Sequence, residues 1–306
     1  MKVWIPHDAG RTLLPALPGV ELEVYRPPDE PMPSDPAGVE VWVPPFLAGG
    51  DTVGLAAKMP SLRVIQLLSA GADAWVGRLP DAVTLCDARG VHSGPVSEWT
   101  VAVILGSLRR IPVFVRAQAE HRWANRPNTP TDTLSGKRVL IVGAGAVGEA
   151  IAERLGPFGV ELTRVARRAR PGVHAVEELP DLLGNADIVV VIVPLTPQTR
   201  GMVDAGFLAR MPDGALLVNA ARGSVVDTDA LVAELASGRL HAAVDVTEPE
   251  PLPADHPLWT MENLLLTPHV ASSVRNLLIL AYGLVEAQLR RLLAGEELIN
   301  VVSDGY

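Results

Sequence analysis

Val139-Leu140-Ile141-Val142-Gly143-Ala144-Gly145-Ala146-Val147-Gly148 decides how the chain is read. Four apolar residues of a buried strand run into a G-x-G-x-x-G loop, and a helix-like run continues to Leu155. Strand, glycine turn and helix in that order are the context of a dinucleotide fingerprint. In such a loop Gly143 makes the tight turn. Gly145 lets the backbone approach a pyrophosphate, and Gly148 lets the helix pack close to the strand. The helix N-terminus offers unpaired N–H groups and partial positive charge to phosphates. The glycine pattern alone is weak, because glycine pairs often merely end strands. The strand before it and the alanine-rich helix after it favour a cofactor loop.

Beyond the fingerprint, β-like runs are predicted at Val160–Val165, Asp187–Val193, Ala215–Asn219, Ala242–Val246 and Leu264–Thr267. Helices are expected over Glu177–Leu183, Gly206–Met211 and Asp229–Ser237. With the fingerprint strand this makes six strands with helical crossovers, which fits a doubly wound parallel sheet. Upstream, short β-like runs at Lys2–Pro6, Glu21–Arg26, Val39–Pro44, Arg63–Ser69 and Val83–Ala88 suit a second, smaller α/β domain. A helix is expected from about Phe46 to Met59. A long helical stretch covers Gly94–Trp123, kinked or restarted at Pro112, and a polar loop follows over residues 125–136. The final helix, Val274–Leu293, follows the last strand of the second half and is free to return to the first domain. The predicted division is residues 1–98 with 275–306, and 99–274.

Size and composition agree. A chain of 306 residues, 48% hydrophobic and 20% charged, can bury two cores. No run of about 18 apolar residues marks a membrane span, and the N-terminal MKVWIPHDAG reads as a first strand rather than a signal peptide. A net charge of −9 argues against nucleic acid as a partner. The single cysteine, Cys86, excludes an intrachain disulfide or a cysteine metal cage, and a reducing cytoplasm is expected. His7, His121, His174, His241 and His256 lack metal-ligand spacing and are assigned no role; no metal is expected. For His92 the balance favours a loop role.

Three strand-end segments carry candidate chemistry. Asn219-Ala220-Ala221-Arg222-Gly223-Ser224-Val225-Val226-Asp227, Asp245-Val246-Thr247-Glu248-Pro249-Glu250-Pro251 and Thr267-Pro268-His269-Val270-Ala271 each follow a strand at once. An Arg, a Glu and a His could thus converge at the carboxyl edge of one sheet. Such a set suits reduction of a 2-keto acid. Arg222 would hold the carboxylate and polarise the carbonyl, and His269 would give a proton to the oxygen. Glu250 would pair with the imidazole and keep it protonated. Alone, each residue has a blander reading, as a surface ion pair, a loop histidine or a charge that keeps a loop wet. Asn219, Asp227 and Asp245 read as loop-fixing groups. The strand Val160–Val165 ends in Ala166-Arg167-Arg168-Ala169-Arg170, with no acid to bond ribose hydroxyls, while guanidinium groups suit a 2′-phosphate. NADP(H) is therefore expected over NAD(H).

These stretches, together with Ser69-Ala70-Gly71-Ala72-Asp73 and Val193-Pro194-Leu195-Thr196-Pro197-Gln198-Thr199, resemble the D-2-hydroxyacid dehydrogenase family. The family's Arg, Glu and His fall on Arg222, Glu250 and His269. The resemblance implies that the Ala70-Gly71 backbone grips the substrate carboxylate. It also implies a cofactor set of Gly143, Gly145, Ala146, Val147, Gly148, Arg167, Arg168, Pro194, Thr199, Ala221 and Asp245. It implies a Rossmann nucleotide domain, a flavodoxin-like substrate domain discontinuous in sequence, and a homodimer built by Gly94–Trp123. The missing acid near Ala166 is similar to the NADP-preferring glyoxylate/hydroxypyruvate reductase branch. The lack of an appended regulatory domain points away from phosphoglycerate. Formate dehydrogenases of the superfamily carry Gln where Glu250 stands, which points away from formate. Phe46 and Leu47 could line an apolar pocket, and Trp123 could approach a partner's site. A nucleotide-sensing, corepressor-like interaction protein on the same fold is the alternative.

Overall fold

A computed structural model describes residues 1–124 and 131–302. The chain divides into two compact units, Met1–His92 with Ser273–Tyr306, and Ser93–Ser272. The break expected after residue 98 instead falls at His92/Ser93, because Ser93–Leu108 is one uninterrupted helix.

The first unit is built on a parallel sheet of β1 (Lys2–Ile5), β2 (Glu21–Val24), β3 (Val39–Trp42), β4 (Val64–Gln66) and β5 (Thr84–Cys86), in the order β2-β1-β3-β4-β5. Alternate side chains feed two cores. Trp4, Val39, Trp42 and Ile65 face one; Val3, Ile5, Val41 and Val64 face the other. The second core is closed by Ala281, Tyr282, Val285 and Leu289 of the helix Leu277–Ala294. The chain's last long helix thus completes its first sheet. A buried amide pair secures the return: Gln288 Nε2 donates to Gln66 Oε1 (2.9 Å) and to Ile299 O (2.8 Å). Buried polar groups persist only when satisfied in this way. Cys86 is fully buried, and burial, then the charge of Asp87, push its thiol up to about 12, as befits a structural thiol.

The second unit holds β6 (Arg138–Val142), β7 (Glu161–Ala166), β8 (His174–Ala175), β9 (Ile188–Val191), β10 (Leu216–Asn219), β11 (His241–Val244) and β12 (Leu264–Leu266). All pair in parallel, in the order β12-β11-β10-β9-β6-β7-β8. Both faces are covered, so the central strands read as continuous apolar runs. Leu140, Val142, Val189, Val191 and Leu217 pack on the helices Ala205–Arg210 and Thr228–Ala236. Val139, Ile141, Ile188 and Val190 pack on Ser93–Leu108 and Ala146–Leu155. The order is that of a doubly wound sheet, with its switch point between β6 and β9.

One local reading changes, one is kept and one short strand was not expected. The helix expected over residues 46–59 shrinks to Asp51–Gly54 and a 3-10 turn at Leu55–Lys58, because Leu47 (φ 57°) and Gly50 (φ 55°) adopt left-handed backbone. The long helix after Gly94 breaks at Arg110 (φ 53°) and restarts at Ile111 with Pro112 in its first turn, where proline needs no donor. The edge strand β8 has only two residues, too few for a periodic signal. Of the loop expected over 125–136, residues 125–130 lie outside the described residues. Among the described residues no helix is long and apolar enough to cross a membrane, and no cluster of His, Cys, Asp or Glu could hold a metal ion.

Candidate active site

One row of paired residues crosses the second sheet: Val165, Val142, Val191, Asn219, Val244 and Leu266 are register partners in turn. The segments that follow them therefore leave the same edge side by side. They are the arginine-rich tip, the glycine loop, the Pro194–Thr199 loop and the Arg222, Glu250 and His269 loops.

The glycine loop is sterically fixed. Gly143 has φ 118°, and a Cβ there would strike the Ile192 carbonyl. A Cβ on Gly148 would overlap the Gly143 carbonyl oxygen. At Gly145, the N-cap of Ala146–Leu155, a Cβ would meet nothing within 4 Å. Two glycines are thus demanded by packing, and the middle one faces open space, where a phosphate group can approach bare backbone. Ala146 and Val147 form the first helical turn behind it. These residues fit a dinucleotide.

Arg167 and Arg168 extend from the end of β7, both exposed. Arg164 and Arg170 are engaged otherwise. Arg164 pairs with Glu149 (2.5 Å), and Arg170 donates to Ala144 O and approaches Glu149 (3.4 Å). Thr199 folds its own loop, donating to Pro194 O (2.6 Å) and accepting from Thr196 N (2.8 Å).

The Arg222 loop is stitched by buried Asn219, which accepts from Ala221 N (3.0 Å) and donates to Arg222 O (3.1 Å). Arg222 Nη1 donates to Ala221 O (2.8 Å). Gly223 lies so close to the Thr247–Glu248 peptide that a Cβ would overlap it. This packing requirement at Gly223 was not read from the sequence; glycine next to a strand-end arginine was the available signal. The two glutamates of the next loop divide their work. Glu248 accepts from Ser224 Oγ and, through its carbonyl, from Thr228 Oγ1 (2.7 Å). Glu250 is the partner of the imidazole, with Oε1 at 2.6 Å from His269 Nδ1.

His269 itself has φ 55°, a left-handed conformation that costs a non-glycine residue about 1–3 kcal/mol and persists only where neighbours over-determine it. Asp245, buried at 3% exposure, does so. Its carbonyl accepts from His269 N (2.7 Å). Its carboxylate accepts from Thr267 Oγ1 (2.6 Å), Val270 N (2.8 Å) and Ala271 N (2.8 Å). Trp99 Nε1 also reaches Thr267 Oγ1 (3.1 Å). Asp245 is the clasp of the His269 loop. Asp245→Ala would strand three donors, at about 1–3 kcal/mol each. We expect faster amide exchange at Val270 and Ala271 and a kcat at least about tenfold lower; unchanged exchange would refute the clasp.

Residues 101–271, more than half of the chain, match the family model described as D-isomer specific 2-hydroxyacid dehydrogenase, NAD binding domain. The chain belongs to that family. It is therefore an NAD(P)-linked oxidoreductase. This dehydrogenase is 32% identical over 301 residues to a glyoxylate reductase/hydroxypyruvate reductase of Homo sapiens, covering 89% of each chain. Its fold matches a D-isomer specific 2-hydroxyacid dehydrogenase from Xanthobacter autotrophicus Py2, solved with NADPH and MES, at a TM-score of 0.84 and 35% identity, over 99% and 97% of the two chains. An NADPH-dependent glyoxylate/hydroxypyruvate reductase from Sinorhizobium meliloti, solved with NADP and sulfate, gives 0.84 at 27% identity, over 99% and 98%.

Proposed function

We propose that this dehydrogenase reduces a small 2-keto acid, such as glyoxylate, hydroxypyruvate or a larger relative, with NADP(H) as the preferred cofactor. The observation that carries the reading is the 2.6 Å pair of Glu250 and His269 on the sheet edge that also bears the glycine loop and Arg222. When bound, the nicotinamide supplies the hydride for the carbonyl carbon. Gly143, Gly145, Gly148 and the first turn behind them hold the pyrophosphate, with Pro194, Thr199, Ala221 and Asp245 on neighbouring loops of the same edge. Arg167 and Arg168 take the 2′-phosphate, which a guanidinium matches in bidentate fashion.

Arg222 binds the substrate carboxylate and polarises the keto oxygen, and in the first unit the backbone N–H groups of Ala70 and Gly71, on the loop after β4, are suited to a carboxylate. Glu250 holds Nδ1–H of His269, so Nε2 is the atom that delivers a proton to the developing alkoxide. The small-molecule acid is the partner, and a second copy of the chain is the other. On the helix Ile111–Ala119, Ile111, Phe114 and Val115 are exposed at helical spacing, with Trp123 91% exposed just beyond.

The test is direct. Purified protein mixed with NADPH and a panel of 2-keto acids should lose reduced-nicotinamide absorbance with at least one small acid. No loss with any acid rejects the reading.

A further inference from the structure

We propose that His7 reads the substituent on C3 of the substrate, hydrogen-bonding a hydroxyl there, so that the preferred acid is a 3-hydroxy-2-keto acid of the hydroxypyruvate type. The inference rests on the reading above and adds a specificity residue to it.

His7 stands where this sheet is built to bind. In the order β2-β1-β3-β4-β5, the connections leave β1 and β3 toward opposite faces, and the crevice beyond their carboxyl ends is the topological switch point. His7 lies just past β1 and Phe46 just past β3, with ring centroids 5.9 Å apart. Phe46 meets the His92 ring past β5 at 6.4 Å. His92 Nε2 lies 2.8 Å from Leu68 O, at the root of the Ser69–Asp73 loop that carries Ala70 and Gly71. A chain of rings thus ties His7 to the loop assigned to the substrate carboxylate.

The imidazole is held with one nitrogen committed. Nδ1 lies 3.2 Å from the Tyr282 hydroxyl. The Tyr282 ring is buried against Gly10, where any Cβ would run into it. Burial raises the Tyr282 phenol, so it keeps its proton. A phenol that donates to Nδ1 leaves the ring proton on Nε2. Among the described residues Nε2 has no hydrogen-bond partner, and the side chain is only half-buried. Burial, then the charge of Arg26, hold the His7 pKa below its ordinary value, so the ring is neutral near pH 7. Arg26 is itself paired with Asp8 and Glu30. A neutral donor suits a hydroxyl rather than a second carboxylate. Sites built to hydrogen-bond a hydroxyl discriminate against analogues that lack it.

The experiment compares hydroxypyruvate with glyoxylate, which has no C3, in the unmodified enzyme and in His7→Phe, which keeps an aromatic ring beside Phe46. We expect the ratio of kcat/KM for hydroxypyruvate over glyoxylate to fall about tenfold, as for one lost hydrogen bond. Tyr282→Phe keeps the ring against Gly10 and loses only the hydroxyl that orients His7; the same ratio should fall by less. An unchanged ratio in both variants overturns the inference. So does an unmodified enzyme that reduces glyoxylate but not hydroxypyruvate, although the keto-acid reading would stand. Turnover of no keto acid by the unmodified enzyme defeats the reading itself and the inference with it.

Discussion

His269→Gln is expected to lower kcat by about 10²–10⁴-fold, the usual share of a general acid, while the dissociation constant for NADPH stays within about twofold. The two readouts separate because His269 follows β12 and the glycine loop follows β6, with three strands between them in the sheet. Gln keeps a hydrogen-bonding amide but has no titratable proton, so it can orient near Glu250 without delivering one. The left-handed backbone at residue 269 is enforced by Asp245 rather than by the imidazole, so the loop should survive the change. Glu250→Gln should fall between the two, because it weakens the hold on Nδ1 and leaves the donor in place. A kcat unchanged by His269→Gln would remove the histidine from the chemistry. A parallel collapse of NADPH binding would mean that the substitution acted through folding.

The central strands of the second sheet were readable because they are buried on both faces. Val139–Val142 and Ile188–Val191 are apolar throughout, and such runs bounded by glycine or polar residues admit few alternatives. The register row across the sheet edge follows from that regularity, so strand-end motifs in sequence became neighbours in space. What escaped the sequence depends on single backbone conformations and long-range contacts. Left-handed Leu47 and Gly50 shortened a predicted helix. Gly223 meets Thr247 only because two loops pack together. Asp245 was legible as a loop-fixing group, but not that its carboxylate would take three donors from the His269 loop. His7 had no motif at all. Its partner Tyr282 lies at the far end of the chain, and only the return of the last helix brings the two together.

Arg167→Ala with Arg168→Ala should raise the dissociation constant for NADPH by about 10²-fold or more and that for NADH by no more than about threefold. Each charge-assisted hydrogen bond to a phosphate contributes about 1.5–3 kcal/mol. Two of them are enough for that loss, and NADH has no 2′-phosphate to lose. The neighbouring arginines provide the control. Arg164 is spent on Glu149, at the start of the helix that follows the glycine loop, and Arg170 on Glu149 and the Ala144 carbonyl of that loop. Arg170→Ala would therefore disturb the loop proposed to hold the pyrophosphate, a group both cofactors carry, and should weaken NADPH and NADH alike. Titration of each variant with each cofactor, followed by quenching of tryptophan emission, reads binding without turnover. Equal loss of both cofactors in the Arg167/Arg168 double variant would refute the phosphate-clamp assignment. Selective loss of NADPH from Arg170→Ala would show that this arginine leaves Ala144 to join the clamp.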